Sequence, residues 1–367
     1  MIRIMETKNN IPIFGMAVPV GSTIKDMLAE KNYSQKDFAK EMGMQPSHLN
    51  ELLKGKRKVT PDIAMRLEKL LGIKATTWLN MQAQYDCNVL ALQERAIQEQ
   101  EAYNIVMAYN NVIEWRLILK RKCKELLTAS YQQIATFLQQ VLPPPANLQY
   151  YANGLFKKSA KTGLDTRMLM TWIMLAQMQA REDKPRCVYD STKNQDLQRQ
   201  LIPILHENTH TIERVKTLLN SYGIGFSIVE KVEKASVDGF SYWEDDNPMI
   251  VVSLRYNRID NFAFTILHEL GHIFLHPRIN MYVRVENYEM EARTLDTEAD
   301  RFANESLIPD KVWRSLPSMS INNPYQIQNQ CSIWARSNHL NKWIVLGRVS
   351  FETGMYKFRQ DKTRKVL

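Results

Sequence analysis

The chain has 367 residues, of which 44% are hydrophobic and 24% are charged, so it can bury real cores and a wholly disordered chain is excluded. Its net charge of +9 permits contact with nucleic acid but does not by itself indicate it. No apolar run approaches the roughly 18 residues that cross a bilayer. The four cysteines form no CxxC pair, so we predict a cytoplasmic protein with reduced thiols and no membrane partner.

Short helical periods fill residues 21–86. Ser34 suits an N-cap and Gly43 a helix end, while Pro46 marks a first helical turn, where proline is tolerated. The basic corner Lys54-Gly-Lys-Arg-Lys58 comes next, and a further helix is expected from Thr60-Pro61 to Leu71. Two short helices joined by a tight turn are typical of a helix-turn-helix, so this part is predicted to bind double-stranded DNA at an operator.

The helix that starts at Pro46 would enter the major groove. The residues expected near base edges are Gln45, Ser47, His48 and Asn50, and those expected to hold phosphates are Gln35, Lys54, Lys56 and Arg57. Because helix-turn-helix proteins usually bind paired half-sites, we expect a homodimer.

The segments Thr60–Leu67 and Trp78–Asp86 carry a family resemblance. Through them, residues 11–90 resemble the HigA-type antitoxins within the XRE helix-turn-helix family. The resemblance implies a lambda-repressor-like domain and a toxin as a further partner. Many XRE proteins have a base-reading glutamine where Pro46 stands here, so the operator sequence does not follow from the resemblance.

A helical middle region comes next, with neither glycine nor proline between Gly72 and Pro143. After a polar segment around residues 181–194, strands are predicted at 224–229, 240–243 and 249–254, and the last two form a hairpin around Asp245–Pro248. An apolar helix is expected from near Asp260 to about Leu275, and the basic tail from Tyr356 is expected to fray. We predict three parts. They are a DNA-binding domain (1–90), a helical connecting region that could dimerise (91–195) and a third domain (196–367).

The strongest motif of the third domain is HExxH at His268-Glu-Leu-Gly-His272, on an apolar helical pattern. Histidines four residues apart share one helix face and can meet one metal ion. Zinc suits imidazole and carboxylate ligands and lowers the pKa of a bound water to roughly 7. Glu269 stands beside the two ligands and is the predicted catalytic base.

A zinc site of this kind needs a third protein ligand and leaves one position open. Glu298, on a later helix that stops before Pro309, is the predicted ligand, and Glu289 and Glu291 are alternatives. His276 is interpreted as structural, because one straight helix cannot wrap three ligands around an ion.

A second HExxH stands at His206-Glu-Asn-Thr-His210. Asn208 and Thr209 indicate a helix start between its histidines. Such a break would spoil the shared face, so we predict that this copy binds no metal.

The segment Asn257–His276, together with Glu298–Ala303 and Leu307–Pro309, resembles the ImmA/IrrE family of zinc metallopeptidases. The resemblance implies a zincin-like domain, with His268, His272 and Glu298 as zinc ligands and Glu269 as base. It also implies that the substrate is often a helix-turn-helix repressor. The family commonly has asparagine at the position of Asp300, and either residue could hold a ligand in place.

Two parts of the mechanism stay open in the sequence. An oxyanion donor could be Tyr242, Tyr256 or Tyr282, and none is marked by spacing. The strand Phe240–Trp243 could be a sheet edge on which an extended peptide pairs, or an ordinary hairpin strand.

We therefore predict a mainly α protein with a small β-sheet, combining a DNA-binding regulator with a zinc endopeptidase. The alternative is an antitoxin or repressor that acts by DNA and protein binding alone, with a vestigial or structural metal site.

Overall fold

The computed structural model describes residues 17–148, 165–276, 288–317 and 323–366, with the backbone of two short paired strands, β1 (Met5–Glu6) and β2 (Pro12–Ile13). Side chains of residues 288–293 lie outside the description. The chain divides into two compact units, residues 1–104 with 130–132, and residues 105–129 with 133–367. The predicted division at residues 90 and 195 stays a prediction.

The first unit is built from short helices around one core. They are α1 (Val20–Glu30), α2 (Gln35–Glu41), α3 (Pro46–Leu53), α4 (Pro61–Leu71) and the first part of α5 (Ala75–Asn110). The Ser34 hydroxyl accepts the Asp37 backbone N–H at 3.1 Å, and Gly72 ends α4 with a φ of 81°. The predicted helix starts at Ser34, Pro46 and Thr60 are confirmed.

The second unit begins with helices that precede its sheet. They are α6 (Trp115–Lys122), α7 (Tyr131–Val141), α8 (Thr166–Glu182), α9 (Asn194–Glu207) and α10 (Thr211–Ser221), with 3-10 turns at Lys124–Thr128 and Ser191–Lys193. Most of α8 is buried, including Met170 and Trp172, so its apolar stripe is core.

A three-stranded sheet comes next, with strand order β3-β5-β4. Its strands are β3 (Gly225–Ile228), β4 (Gly239–Glu244) and β5 (Asn247–Val252). Strand β5 pairs parallel with β3 and antiparallel with β4, where Ser241 lies opposite Ile250. All six residues of β5 are buried, as expected of a central strand.

In the ranges that the structure describes, five further helices follow the sheet. They are α11 (Ile259–Leu275), α12 (Tyr288–Leu307), α13 (Asp310–Trp313), α14 (Pro324–Ser337) and α15 (Lys342–Thr353), with a 3-10 turn at Lys362–Arg364. Helix α11 is apolar on most sides because sheet and helices surround it, and it packs along α12. The predicted fold class, mainly α with a small sheet, is confirmed.

The C-terminal segment differs from its prediction. Its basic composition led us to expect a frayed tail from Tyr356, and this is wrong. Phe358 and Val366 are buried in the core, and buried Arg364 donates to Asp260 of α11 at 3.0 Å. The segment is ordered because apolar anchors and a paired charge fix it, which local composition does not reveal.

Candidate metal centre and nucleic-acid interface

The first HExxH element forms because α11 continues without a break through both histidines. His268 and His272 stand on one face, and their Nε2 atoms lie 3.1 Å apart. Two nitrogens bound to one tetrahedral zinc at its usual bond lengths are about 3.3 Å apart. The pair is therefore spaced as two ligands of one ion.

A carboxylate from α12 joins the two imidazoles. Asp296 Oδ1 lies 3.5 Å from His272 Nε2, and ligand atoms of His268, His272 and Asp296 all lie within 4.8 Å of one another. Two imidazoles and a carboxylate are a donor set that zinc accepts, so these residues fit the metal. Sequence reasoning missed Asp296, although it stands one helical turn before Asp300.

Asp300 fixes the orientation of the first histidine. Its Oδ1 lies 2.8 Å from His268 Nδ1, so Nδ1–H donates to the carboxylate and Nε2 is left for a metal. Burial lowers the pKa of His268, but the Asp300 hydrogen bond and the charge of Glu269 raise this pKa by more, to above its usual value.

Glu298 points to a different histidine. Its Oε2 lies 3.1 Å from Nε2 of His276, and His276 Nδ1 lies 3.0 Å from His272 Nδ1. His276, just past the end of α11, thus connects Glu298 to His272. The assignment of Glu298 as third ligand stays a prediction. The side chains of the alternatives Glu289 and Glu291 lie outside the described residues.

Glu269 is held beside the histidines by the sheet. Its side chain is buried, and Ser241 Oγ of β4 donates to Glu269 Oε2 at 2.6 Å. A Cβ on Gly239 would lie 2.4 Å from Thr265 Cγ2 and 2.9 Å from Glu269 Oε1, so only glycine lets β4 approach α11 this closely. Neither Ser241 nor Gly239 was predicted, because nothing in the sequence pairs them with α11.

Strand β4 is an edge strand of the sheet in the described part of the chain, since β5 flanks it on one side only. Of the predicted oxyanion donors, Tyr242 is buried in β4. Tyr256 is 44% exposed, and its hydroxyl accepts from Arg255 at 3.2 Å. Tyr282 lies outside the described residues.

The second HExxH copy has no shared histidine face. Helix α9 ends at Glu207, and α10 starts at Thr211 after a left-handed His210. His206 Nδ1 accepts the backbone N–H of Asn341 at 3.0 Å, and its Nε2 lies 2.9 Å from the carbonyl oxygen of Leu307. Both ring nitrogens are thus used by the backbone, and burial lowers the pKa of His206.

In the first unit, α3 turns one face to the core and another to solvent. Leu49, Leu52 and Leu53 are buried. Of the predicted base-reading residues, His48 is half-buried and Gln45, Ser47 and Asn50 are exposed. A Cβ on Gly21 would lie 2.1 Å from the carbonyl oxygen of Leu52, so this glycine lets α1 pack directly on α3.

The predicted phosphate contacts surround the end of α3. Gln35, Lys54 and Lys56 are exposed, and Arg57 is half-buried against Glu51, with 3.3 Å between Nε and Oε2. Within the described ranges, neither Lys54 nor Lys56 has an ion-pair partner. Both lysines therefore remain able to meet a phosphate.

Two residues of α5 that were not predicted fix the basic corner. Gln82 Oε1 accepts the backbone N–H of Val59 at 3.0 Å, and Asp86 accepts from Lys58 at 2.8 Å. The Lys58 hydrogen bond holds the pKa of Asp86 below its usual value. Both residues belong to the Trp78–Asp86 segment, so the family resemblance was their only signal.

Two family models match the chain. One described as helix-turn-helix covers residues 24–79, and one described as an IrrE N-terminal-like domain covers residues 224–322. Among the described residues, no helix has both the length and the apolar composition that a bilayer crossing requires.

Similar proteins match the N-terminal part. Virulence-associated protein I of Dichelobacter nodosus is 32% identical over 101 residues, which are 27% of this chain and 84% of that protein. The uncharacterized HTH-type transcriptional regulator YddM of Escherichia coli K12 is 39% identical over 62 residues, 17% of this chain and 66% of that protein. A solved candidate antidote protein of a plasmid maintenance system from Nostoc punctiforme is 34% identical over 24% of this chain and 93% of its own, with a TM-score of 0.21.

The N-terminal part of the chain therefore belongs to the XRE-type helix-turn-helix family, and a domain of the IrrE/ImmA family follows it.

Proposed function

We propose that this chain is a DNA-binding transcriptional regulator whose IrrE/ImmA-family domain is a zinc-dependent endopeptidase. One observation carries the proposal. The Nε2 atoms of His268 and His272 lie 3.1 Å apart, with Glu269 held beside them by Ser241. Two of the metal ligands and a positioned base, which metal-assisted peptide hydrolysis needs, are therefore brought together.

His268 and His272 would hold the zinc together with one carboxylate of α12. Asp296 is favoured by geometry, because its Oδ1 already lies 3.5 Å from His272 Nε2. Glu298 is the ligand that the family resemblance implies. Its carboxylate is hydrogen-bonded to His276. Zinc content separates the two, because Asp296→Asn should empty the site if Asp296 binds, and Glu298→Gln should do so if Glu298 binds.

Bound zinc would polarise the peptide carbonyl and make a bound water acidic. The chain's own groups do the remaining work. Glu269 takes a proton from the attacking water as its oxygen bonds to the carbonyl carbon. The same carboxyl then delivers this proton to the departing amine nitrogen as the carbon–nitrogen bond breaks.

The neighbouring groups position these parts. The Ser241 hydrogen bond orients Glu269, and Asp300 holds His268 in the tautomer with Nε2 free. The edge strand β4 offers main-chain groups next to Glu269, so an extended peptide can add to the sheet there. A substrate segment must therefore be extended when it is cut.

The substrate we propose is a helix-turn-helix repressor, including a second copy of this chain. DNA binding brings the peptidase to an operator where such repressors are bound. Tethering on DNA replaces bulk encounter by an effective concentration of up to about millimolar, so weak recognition of the cut segment suffices. A toxin partner and a homodimer belong to the same proposal and follow from the likeness to HigA-type proteins.

Cleavage tests the peptidase. Candidate helix-turn-helix repressors are incubated with wild type and Glu269→Gln, with and without operator DNA, and the products are identified by mass spectrometry. Glu269→Gln should retain zinc and DNA affinity and lose cleavage by about 10²-fold or more, because it removes only the base. The matched control is Glu207→Gln, the same change in the other HExxH, which should cut like wild type.

The outcomes separate the alternatives. If wild type and Glu269→Gln give the same fragments, or neither cuts any repressor, the peptidase assignment fails and a regulator that acts by binding remains. If wild type cuts casein as readily as repressors, the regulatory substrate is wrong and a general protease remains.

DNA binding is tested with the full chain across salt concentrations. Lys56→Ala should weaken binding at all sequences and reduce the slope of log K against log salt by about 0.9. Asn50→Ala should instead relax base preference. Lys69→Ala, on α4, is the control and should change neither. A wild-type chain that binds operator and unrelated DNA equally would contradict specific binding.

A further inference from the structure

A cavity of about 220 Å³ lies beside the candidate metal centre. Its walls come from three helices of the second unit. The lining residues used below are Phe264 of α11, Asp300 and Asn304 of α12, Arg348 and Phe351 of α15, and Arg258 and Tyr356. Neither the two proposed histidine ligands nor Glu269 lines this cavity.

The cavity shares two of its walls with the metal-ligand group. The ring of Phe264 lies 6.0 Å from that of His268, centroid to centroid, and Asp300 accepts from the same histidine. Phe264 stands one helical turn before His268 on the same face. An extended chain advances about 3.3 Å per residue, so the side chain next to a bond cut at His268 and His272 can reach the cavity.

The walls favour an apolar occupant. The charged side chains that line the cavity already have partners. Arg348 donates to Asp310 at 3.0 Å and to Glu352 at 2.9 Å. Arg258 donates to Asp260 at 2.9 Å. A charged side chain entering the cavity would lose its hydration and displace one of these pairs.

Aromatic rings complete the cavity. Phe351 is 73% exposed and Tyr356 is 61% exposed, so two large apolar surfaces at the rim face water. A side chain that entered would cover them together with Phe264, and such burial is favourable in proportion to the apolar area. Aromatic pairs add a further, geometry-dependent gain.

We infer that this cavity is the specificity subsite of the peptidase, and that it takes a large apolar side chain, preferably aromatic, from the residue next to the cut bond. The inference rests on the proposed peptidase function and specifies its substrate. Repressor segments with phenylalanine, tyrosine or leucine next to the bond should be cut, and those with alanine, aspartate or lysine there should be cut poorly.

The test uses binding, so that it does not depend on turnover. Three peptide hydroxamates share one backbone and one metal-binding group, and they differ only in the adjacent side chain, which is benzyl, isobutyl or methyl. Their affinities for the zinc-loaded full chain are measured by calorimetry. The benzyl compound should bind at least about tenfold more tightly than the methyl compound, as pockets of this kind discriminate.

Two variants assign that preference to the cavity. Phe351→Ala removes a rim wall and should reduce the benzyl-to-methyl affinity ratio severalfold. Asn304→Phe fills the cavity, so the benzyl compound should bind no more tightly than the methyl compound, or less tightly. The matched control is Tyr325→Ala on α14, which removes another aromatic side chain that is 73% exposed, and it should keep the wild-type ratio. Zinc content and circular dichroism show that each variant is folded and loaded.

The outcomes are distinguishable from those of the proposed function. If no hydroxamate binds the zinc-loaded chain, the metal centre does not accept substrate-like ligands, and the proposed function fails together with the subsite. If all three bind equally, or if Phe351→Ala and Asn304→Phe keep the wild-type ratio, the subsite is overturned while the metal centre stands.

Discussion

The chain contains HExxH twice, and the structure gives the two copies opposite surroundings. At residues 268–272 the helix is continuous and two Nε2 atoms face each other at 3.1 Å. At residues 206–210 the helix ends between the histidines, and backbone groups contact both ring nitrogens of His206. The HExxH pattern alone therefore does not predict a metal site. A metal site also requires that the helix continues through both histidines and that each histidine has a ring nitrogen available to the ion.

The residues inside each motif explain the difference. Leu270 is buried, and a Cβ on Gly271 would lie 3.0 Å from Ala299 Cα, so α12 packs directly against this copy, whose helix continues to Leu275. Asn208 of the other copy adopts a φ of 49°, a left-handed conformation that asparagine tolerates better than most residues. Its side chain amide donates to the carbonyl oxygen of Lys365 at 2.7 Å, so the break is fixed.

The largest expected effect is on zinc content. His268→Ala and His272→Ala should each lose the one zinc expected per chain, because two remaining ligands hold the ion poorly. The equivalent changes His206→Ala and His210→Ala should retain it. Elemental analysis of the four purified variants measures this directly, and equal zinc loss from both copies would show that the comparison is wrong.

Folding stability should reveal the role of His206. His206→Ala leaves the Asn341 N–H and the Leu307 carbonyl without their partner, which costs about 1–3 kcal/mol for each buried group left unsatisfied. Urea unfolding of the full chain should therefore show a clear loss. If His206→Ala retained its zinc and unfolded at the same urea concentration as wild type, a structural role for this histidine would be contradicted.

Much of this contrast follows from the sequence. The helical pattern at 260–275, the break at Asn208-Thr209 and the hairpin around Asp245–Pro248 are local signals, and the structure confirms them. The contacts of His206 with Leu307 and Asn341, and of Glu269 with Ser241, join residues far apart in the chain. Only the fold brings such pairs together, so local sequence patterns could not predict these contacts.

The pH dependence of stability sharpens the comparison further. Burial lowers the pKa of His206 in the folded protein below its ordinary 6.5, and the Leu307 hydrogen bond offsets this only in part. Between the two pKa values the unfolded chain binds a proton that the folded chain does not. The contribution of neutral His206 to the free energy of unfolding is therefore complete above pH 6.5. It is lost as the pH falls from 6.5 to the lower pKa of the folded protein.

Urea unfolding between pH 5 and 8 measures this term as the difference between wild type and His206→Gln. Wild type should lose its advantage toward acid pH, by about 1.4 kcal/mol for each unit of pKa difference. A difference that does not change with pH would mean that His206 titrates equally in both states, and that its ring is not held neutral by the fold.

The smallest expected effect concerns the second histidine of the same copy. His210 is exposed and adopts a φ of 46°, which costs a side-chain-bearing residue about 1–2 kcal/mol. His210→Gly removes that strain but adds conformational freedom to the unfolded chain. We expect a net gain of a few tenths of a kcal/mol, with zinc content unchanged, measured by urea unfolding at pH 7.5. The matched change in the copy that we propose binds zinc, His272→Gly, places glycine inside a continuous helix and removes a proposed ligand, so it should lose both stability and zinc. If His210→Gly were instead strongly destabilising, its imidazole would have a role that its exposed position does not show, and the helix break would not be sufficient reason to predict that this copy binds no metal.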